Sequence, residues 1–258
     1  MMTHTIVSVS DRYVIGFFLG ATFVGYYTPG YALGLQVPSL ITAGLGMVLL
    51  PTVSDYYENG NLSMVKRILR LSTKYFLLIA IPYFIGTIIV GRPILRLFTD
   101  AEIAREGYMI IALSAFAGIL MGLYTIYKQI VFLKKETKLI SIFWGLGAGI
   151  NVIGNIILVP EYGIVAAGFT TILSYFVVLL LILHFSSKTI VIKNDTSAIS
   201  KIIFSSVLMG ALLLLVREYF CTNLFFLIAI GIIVYFSTMF IIGGIDRKEI
   251  EFIKSMRR

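Results

Sequence analysis

The chain has 258 residues, 59% of them hydrophobic and only 13% charged, with a mean hydropathy of +0.96 and a formal net charge of +8. An ordinary soluble domain carries about 25% charged residues, so this composition excludes one and implies a polytopic, all-α helical membrane protein with little room for a soluble domain. Cys221 is the only cysteine, and His4 and His184 are the only histidines; an intrachain disulfide is excluded, and no metal centre and no cofactor is expected.

Eight apolar segments follow one another, at about 1–20, 25–51, 73–91, 107–127, 139–159, 163–184, 200–217 and 223–243. The start, "MMTHT", lacks the basic region and cleavage site of a signal peptide. From Thr5 to Pro51 the only charges are Asp11 and Arg12, and the stretch is long enough for two spans, with the turn expected near Gly20 to Gly25. Next comes "NLSMVKRILRLS", which places Leu62, Val65, Leu69 and Ser72 on one helical face behind an Asn that suits a cap. It reads as an amphipathic helix on the inner leaflet, and the tail "DRKEIEFIKSMRR" reads the same way; a solvated basic loop and tail is the alternative for each. Pro29, Pro38 and Pro82 interrupt or flank spans. Gly16 and Gly20, Gly30 and Gly34, Gly118 and Gly122, and Gly145 and Gly149 each fit a close-packing G-x-x-x-G spacing.

If the connections alternate sides, sixteen of the 21 Lys and Arg residues share one face, in the groups around Lys66 to Lys74, Lys128 to Lys138 and Lys188 to Lys201 and in the tail. Arg92, Arg96, Arg105 and Arg217 occupy the other. The positive-inside rule makes the rich face cytoplasmic, with both termini there and the protein multi-pass in the cell membrane. That bias accounts for most of the net charge, so no nucleic-acid partner is expected. It also discounts "NLS" at Asn61 and "NDT" at Asn194 as glycosylation sites.

Of the thirteen acidic residues, all but Asp11 fall in connections or the tail. No carboxylate cluster for a metal and no nucleophile with a base beside it can be assembled, so the chain does not read as an enzyme. Polar groups within the apolar segments include Gln36, Asn151 and Asn155. The two asparagines stand at i and i+4 and share one helix face, where they either tie helices together by hydrogen bonds or line a polar cavity. Asp11 and Arg12 admit two placements. If the first span runs to Leu19, Asp11 sits near mid-membrane and must face a cavity or a partner; if it begins at Tyr13, the pair lies at the inner interface with no function implied.

Two stretches, "DRYVIGFFLGATFVGYYTPGYALGLQVPSLITAGLGMVLLPTVSDYYENGN" and "GAGINVIGNIILVPEYGIVAAGFTTILSYF", resemble the polysaccharide transporters of the multidrug/oligosaccharidyl-lipid/polysaccharide flippase superfamily, in its C-terminal half only. The resemblance implies a MATE-like second lobe of six helices over residues 1–185, which the chain enters inside its first helix, and two accessory helices with a basic tail over 186–258. It implies a carrier of lipid-linked oligosaccharide or polysaccharide precursors across the cytoplasmic membrane. Its partners would be membrane lipids, the lipid-linked glycan, and a separate first-lobe chain or glycan-assembly proteins. On that reading Arg12 holds a pyrophosphate, Asp11 positions Arg12 or exchanges a proton or sodium ion, and Gln36, Asn151 and Asn155 meet sugar hydroxyls. The alternatives are a multidrug or cation efflux transporter, for which more acidic residues inside the spans are expected, and a non-transporting scaffold in glycan assembly.

Overall fold

A computed structural model describes residues 3–219 and 223–244. They form eight α-helices: α1 (Thr3–Phe18), α2 (Ala21–Glu58), α3 (Leu62–Phe98), α4 (Ala101–Leu133), α5 (Thr137–Tyr162), α6 (Ile164–Thr189), α7 (Thr196–Tyr219) and α8 (Leu224–Ile241). Each apolar segment of the sequence becomes one helix. Seven of them, α2 to α8, are long and apolar enough to cross a bilayer, which makes this a multi-pass membrane protein. The 16 residues of α1 reach about 24 Å, less than the ~30 Å of a hydrocarbon core.

Helices α2, α3 and α4 have 38, 37 and 33 residues, so they absorb stretches that the sequence suggested were connections. The segment "NLSMVKRILRLS" is not a separate surface helix but the first turns of α3. Asn61 caps it, its side chain accepting from the Met64 amide at 3.2 Å. Val65 and Leu69 are buried in the protein core instead of facing lipid, because their stripe continues without a break into the apolar face of the span. Lys74 and Lys128 likewise lie inside α3 and α4 and not in connections. The tail "DRKEIEFIKSMRR" lies outside the described residues.

The turn expected near Gly20 is where the structure has it. Gly20 adopts φ +94°, in the left-handed region that side chains disfavour, and α2 starts one residue later. Helix α4 is the most buried of the spans and packs against α2, α3 and α6. Its approach to α2 depends on small residues: a Cβ at Gly34 would overlap the Ile111 carbonyl oxygen, and one at Gly118 would sit 2.7 Å from Pro38. Gly145 and Gly149 face open space, so their spacing reports no helix contact. Helix α1 lies on α5, with further contacts to α2 and α6.

Helices α7 and α8 attach through α3. Pro82 and Pro93 lie inside α3 and lack the amide protons that would serve the carbonyls of Leu78 and Ile89, four residues before them. The Tyr235 hydroxyl of α8 donates to the Leu78 carbonyl at 2.7 Å, and Arg217 Nη1 of α7 donates to the Ile89 carbonyl at 2.8 Å. Each helix thus satisfies a backbone acceptor that a proline leaves free, a requirement that hydrocarbon surroundings make severe.

Candidate functional site

Asp11, in the middle of α1, is fully buried where α1, α2, α5 and α6 meet. The carboxylate accepts three hydrogen bonds. The Tyr27 hydroxyl donates to Oδ2 at 2.7 Å, the Thr171 hydroxyl to Oδ2 at 2.8 Å, and Asn155 Nδ2 to Oδ1 at 2.7 Å. Of the two placements open to this residue, the structure therefore has the one in which α1 runs through to the turn at Gly20 and Asp11 faces protein partners.

Further hydrogen bonds hold these donors in place. Asn151 Oδ1 accepts from the Ser10 hydroxyl at 2.8 Å and from Asn155 Nδ2 at 3.3 Å, while Asn151 Nδ2 donates to the Thr171 hydroxyl at 3.3 Å. Asn155 Oδ1 accepts from the Thr170 hydroxyl. The i, i+4 spacing of the asparagines puts both amides on the face of α5 that meets α1 and α6. Every donor to Asp11 is neutral, and among the described residues no cation forms an ion pair with it. A buried carboxylate surrounded by side-chain oxygens and lacking a counter-charge has the chemistry to take up a proton or a small cation.

The five residues singled out in the sequence part company here. Asp11, Asn151 and Asn155 come together in one network. Arg12 does not pair with Asp11, because consecutive helical residues point about 100° apart. Its guanidinium carbon lies 5.7 Å from the centre of the Tyr31 ring, and its buried Nε has no hydrogen-bond partner among the described residues. Gln36 is exposed on α2, outside the network.

The fold has counterparts among known proteins. The family model described as "Lipid II flippase MurJ" matches residues 22–235. The chain belongs to the lipid II flippase MurJ family. It is 26% identical over 229 residues to the probable low-salt glycan biosynthesis flippase Agl15 of Haloferax volcanii, covering 87% of this chain and 48% of that protein. It is 25% identical over 216 residues to the probable flippase AglR of the same organism, covering 81% of this chain and 44% of that protein. The chain thus spans about half the length of the curated relatives it matches. The fold is also similar to a structure titled "Lipid II flippase MurJ, inward closed conformation", with a TM-score of 0.79 and 22% identity over all of this chain and 53% of that one.

In this MurJ-family chain the Asp11 network adjoins a cavity of about 840 Å³ between α2, α4, α5 and α6. Tyr31 links the two, since its ring stacks on that of Tyr27 at 5.4 Å and lines the cavity. Lys128 also lines it, with Nζ 5.6 Å from the centre of the Tyr124 ring. In the sequence Lys128 reads as a loop charge. Its one distinguishing signal there is position, six residues ahead of the "KK" at Lys134 and Lys135.

Proposed function

We propose that this chain is the second lobe, with accessory helices, of a carrier that moves lipid-linked oligosaccharide or polysaccharide precursors from the inner to the outer face of the cell membrane. The observation that carries the reading is the Asp11 network. One buried carboxylate collects hydrogen bonds from three other helices, so its occupancy by a proton or a monovalent cation changes how α1, α2, α5 and α6 are tied together. A transporter that alternates access needs a charge-sensitive joint of this kind between helices. Membership of the MurJ family and the name of one relative, the probable low-salt glycan biosynthesis flippase Agl15, support the substrate class.

In this reading residues 1–185 form the six-helix lobe and 186–258 the accessory unit, and the Lys/Arg-rich ends and both termini lie in the cytoplasm. The facing lobe is supplied by a further part of the carrier. Asn151 and Asn155 act by holding Asp11 and its donors, since both amides are spent on that network. Arg12, whose buried Nε has no hydrogen-bond partner among the described residues, is the candidate for the pyrophosphate of the substrate. No bond-making step is assigned to the chain, which acts as a transporter and not as an enzyme.

The test is translocation of a polyprenyl-diphosphate-linked oligosaccharide in vesicles, with this chain alone and with a first-lobe chain of the family. Translocation that requires both, and that disappears with Asp11→Asn, is the expected result. Translocation by neither preparation overturns the reading.

A further inference from the structure

A recess of about 440 Å³ opens between the first turns of α3 and the segment that joins α6 to α7. Its walls carry Lys66, Arg67 and Arg70 from α3 and Lys193 from the joining segment, and none of the described lining residues is acidic. Among the described residues no ion pair involves Lys66, Arg70 or Lys193. Like charges brought to one place repel, and an anion seated among them removes that cost. The joining segment is pinned at the recess. Ile190 is buried, Asn194 Nδ2 donates to the Tyr127 hydroxyl of α4 at 2.7 Å, and the carboxylate of Asp195 is engaged by the Ala198 amide at 2.9 Å, where α7 begins. Lys193 is thereby kept at the recess with its side chain exposed.

Height in the bilayer says which anion is at hand. The 37 residues of α3 reach about 55 Å, well beyond the ~30 Å of a hydrocarbon core. Its apolar segment starts near residue 73, so Arg70 lies about 5 Å and Lys66 about 10 Å beyond that boundary. The headgroup layer occupies the first ~5–8 Å there, and a long basic side chain spans the remainder. Apolar groups lie open beside the cations: Val191, in the wall of the recess, is 57% exposed, and Leu62, next to Ser63 of that wall, is 45% exposed. A soluble anion has nothing to bury against them, whereas a phospholipid brings its upper acyl chain. We propose that this recess is a binding site for the headgroup of an anionic phospholipid, with Lys66, Arg70 and Lys193 around its phosphodiester and Val191 and Leu62 against its chains. A lipid held there joins α3 of the lobe to the segment that leads into α7. None of the recess residues belongs to the Asp11 network.

A lipid that binds the folded chain raises its melting temperature in step with occupancy. The purified chain in a neutral detergent is titrated with dihexanoyl phosphatidylglycerol, dihexanoyl phosphatidylcholine and glycerol 3-phosphate. Wild type is compared with Lys66→Gln/Arg70→Gln, with Lys193→Gln, and with Lys134→Gln/Lys138→Gln, which removes two exposed charges outside the recess. The expected result is a saturable rise with phosphatidylglycerol whose midpoint moves up at least about tenfold in Lys66→Gln/Arg70→Gln and stays within about twofold in Lys134→Gln/Lys138→Gln. Phosphatidylcholine and glycerol 3-phosphate are each expected to bind at least about tenfold more weakly than phosphatidylglycerol. Because Lys66 and Arg70 are exposed, melting without lipid should not change; if the double variant does melt lower, Lys193→Gln gives the same reading from the other wall, with a midpoint raised about threefold or more. No saturable response, or equal loss in the two double variants, overturns the site and leaves a diffuse surface charge. Equal binding of phosphatidylcholine overturns the role of the cations, and equal binding of glycerol 3-phosphate overturns the lipid as occupant.

Discussion

Asn155 donates from Nδ2 to Asp11 Oδ1 at 2.7 Å, joining two residues 144 positions apart in the chain. With Tyr27 and Thr171 on the other oxygen, Asp11 is the point where four helices converge. Asp11→Ala removes the acceptor and leaves three buried donors unpaired, at a cost of about 1–3 kcal/mol for each group that finds no substitute. Melting temperature in detergent should fall clearly for Asp11→Ala. Asp11→Asn keeps the shape and an acceptor oxygen, so its melting temperature should stay within a few degrees of wild type.

Occupancy of the same carboxylate by a cation or a proton has a separate signature. A ligand that binds only the folded protein stabilises it by RT ln(1 + [L]/Kd). Exchanging potassium for sodium at constant ionic strength should raise the melting temperature of wild type and leave that of Asp11→Asn unmoved. If the proton is the occupant, sodium has no effect, and the difference between the two proteins varies with pH instead. Equal responses of both proteins to both variables would remove Asp11 as the coupling site.

Arg12 and Asp11 separate cleanly by substitution because they do not pair. In the reconstituted carrier, Arg12→Gln should lower translocation at least about tenfold, the loss of one or more charge-assisted hydrogen bonds to a phosphate, and Arg12→Lys should recover part of it. Full activity in Arg12→Gln would reject the phosphate role.

The attachment of α8 to α3 is open to a thermodynamic cycle. Tyr235→Phe leaves the Leu78 carbonyl without a donor and should cost about 1–3 kcal/mol. Pro82→Ala returns an amide proton to that carbonyl, so in its background Tyr235→Phe should cost much less. A coupling energy of about 1 kcal/mol or more between the two positions is expected. Additive effects would show that the hydroxyl does not compensate for the proline.

Two glycines that look alike in the sequence should behave oppositely. Gly34→Ala places a methyl group against the Ile111 carbonyl oxygen and should destabilise by about 1–3 kcal/mol through forced separation of α2 and α4. Gly145→Ala enters open space inside a helix and should be neutral or stabilising, by up to about 1 kcal/mol. Thermal melting of the two variants beside wild type decides both.

By itself the sequence determined that the chain is an all-helical membrane protein with eight apolar segments, where its first turn falls, and that Asp11, Asn151 and Asn155 are unusual. Hydropathy is local, and a polar group amid apolar residues is visible without any partner in view. Helix limits were harder to read, because a basic amphipathic stretch such as Leu62 to Ser72 has the same pattern whether its apolar face meets lipid or protein. Only the tertiary structure decided that this face packs inward, and that Asp11 turns to Asn155 and away from its neighbour Arg12. It alone left Gln36 outside the network and brought Lys128, which reads as a loop charge, to an aromatic cavity. Each of these outcomes depends on which helices become neighbours. That choice is made by close approach and hydrogen-bond satisfaction between residues far apart in the chain, which no local pattern encodes.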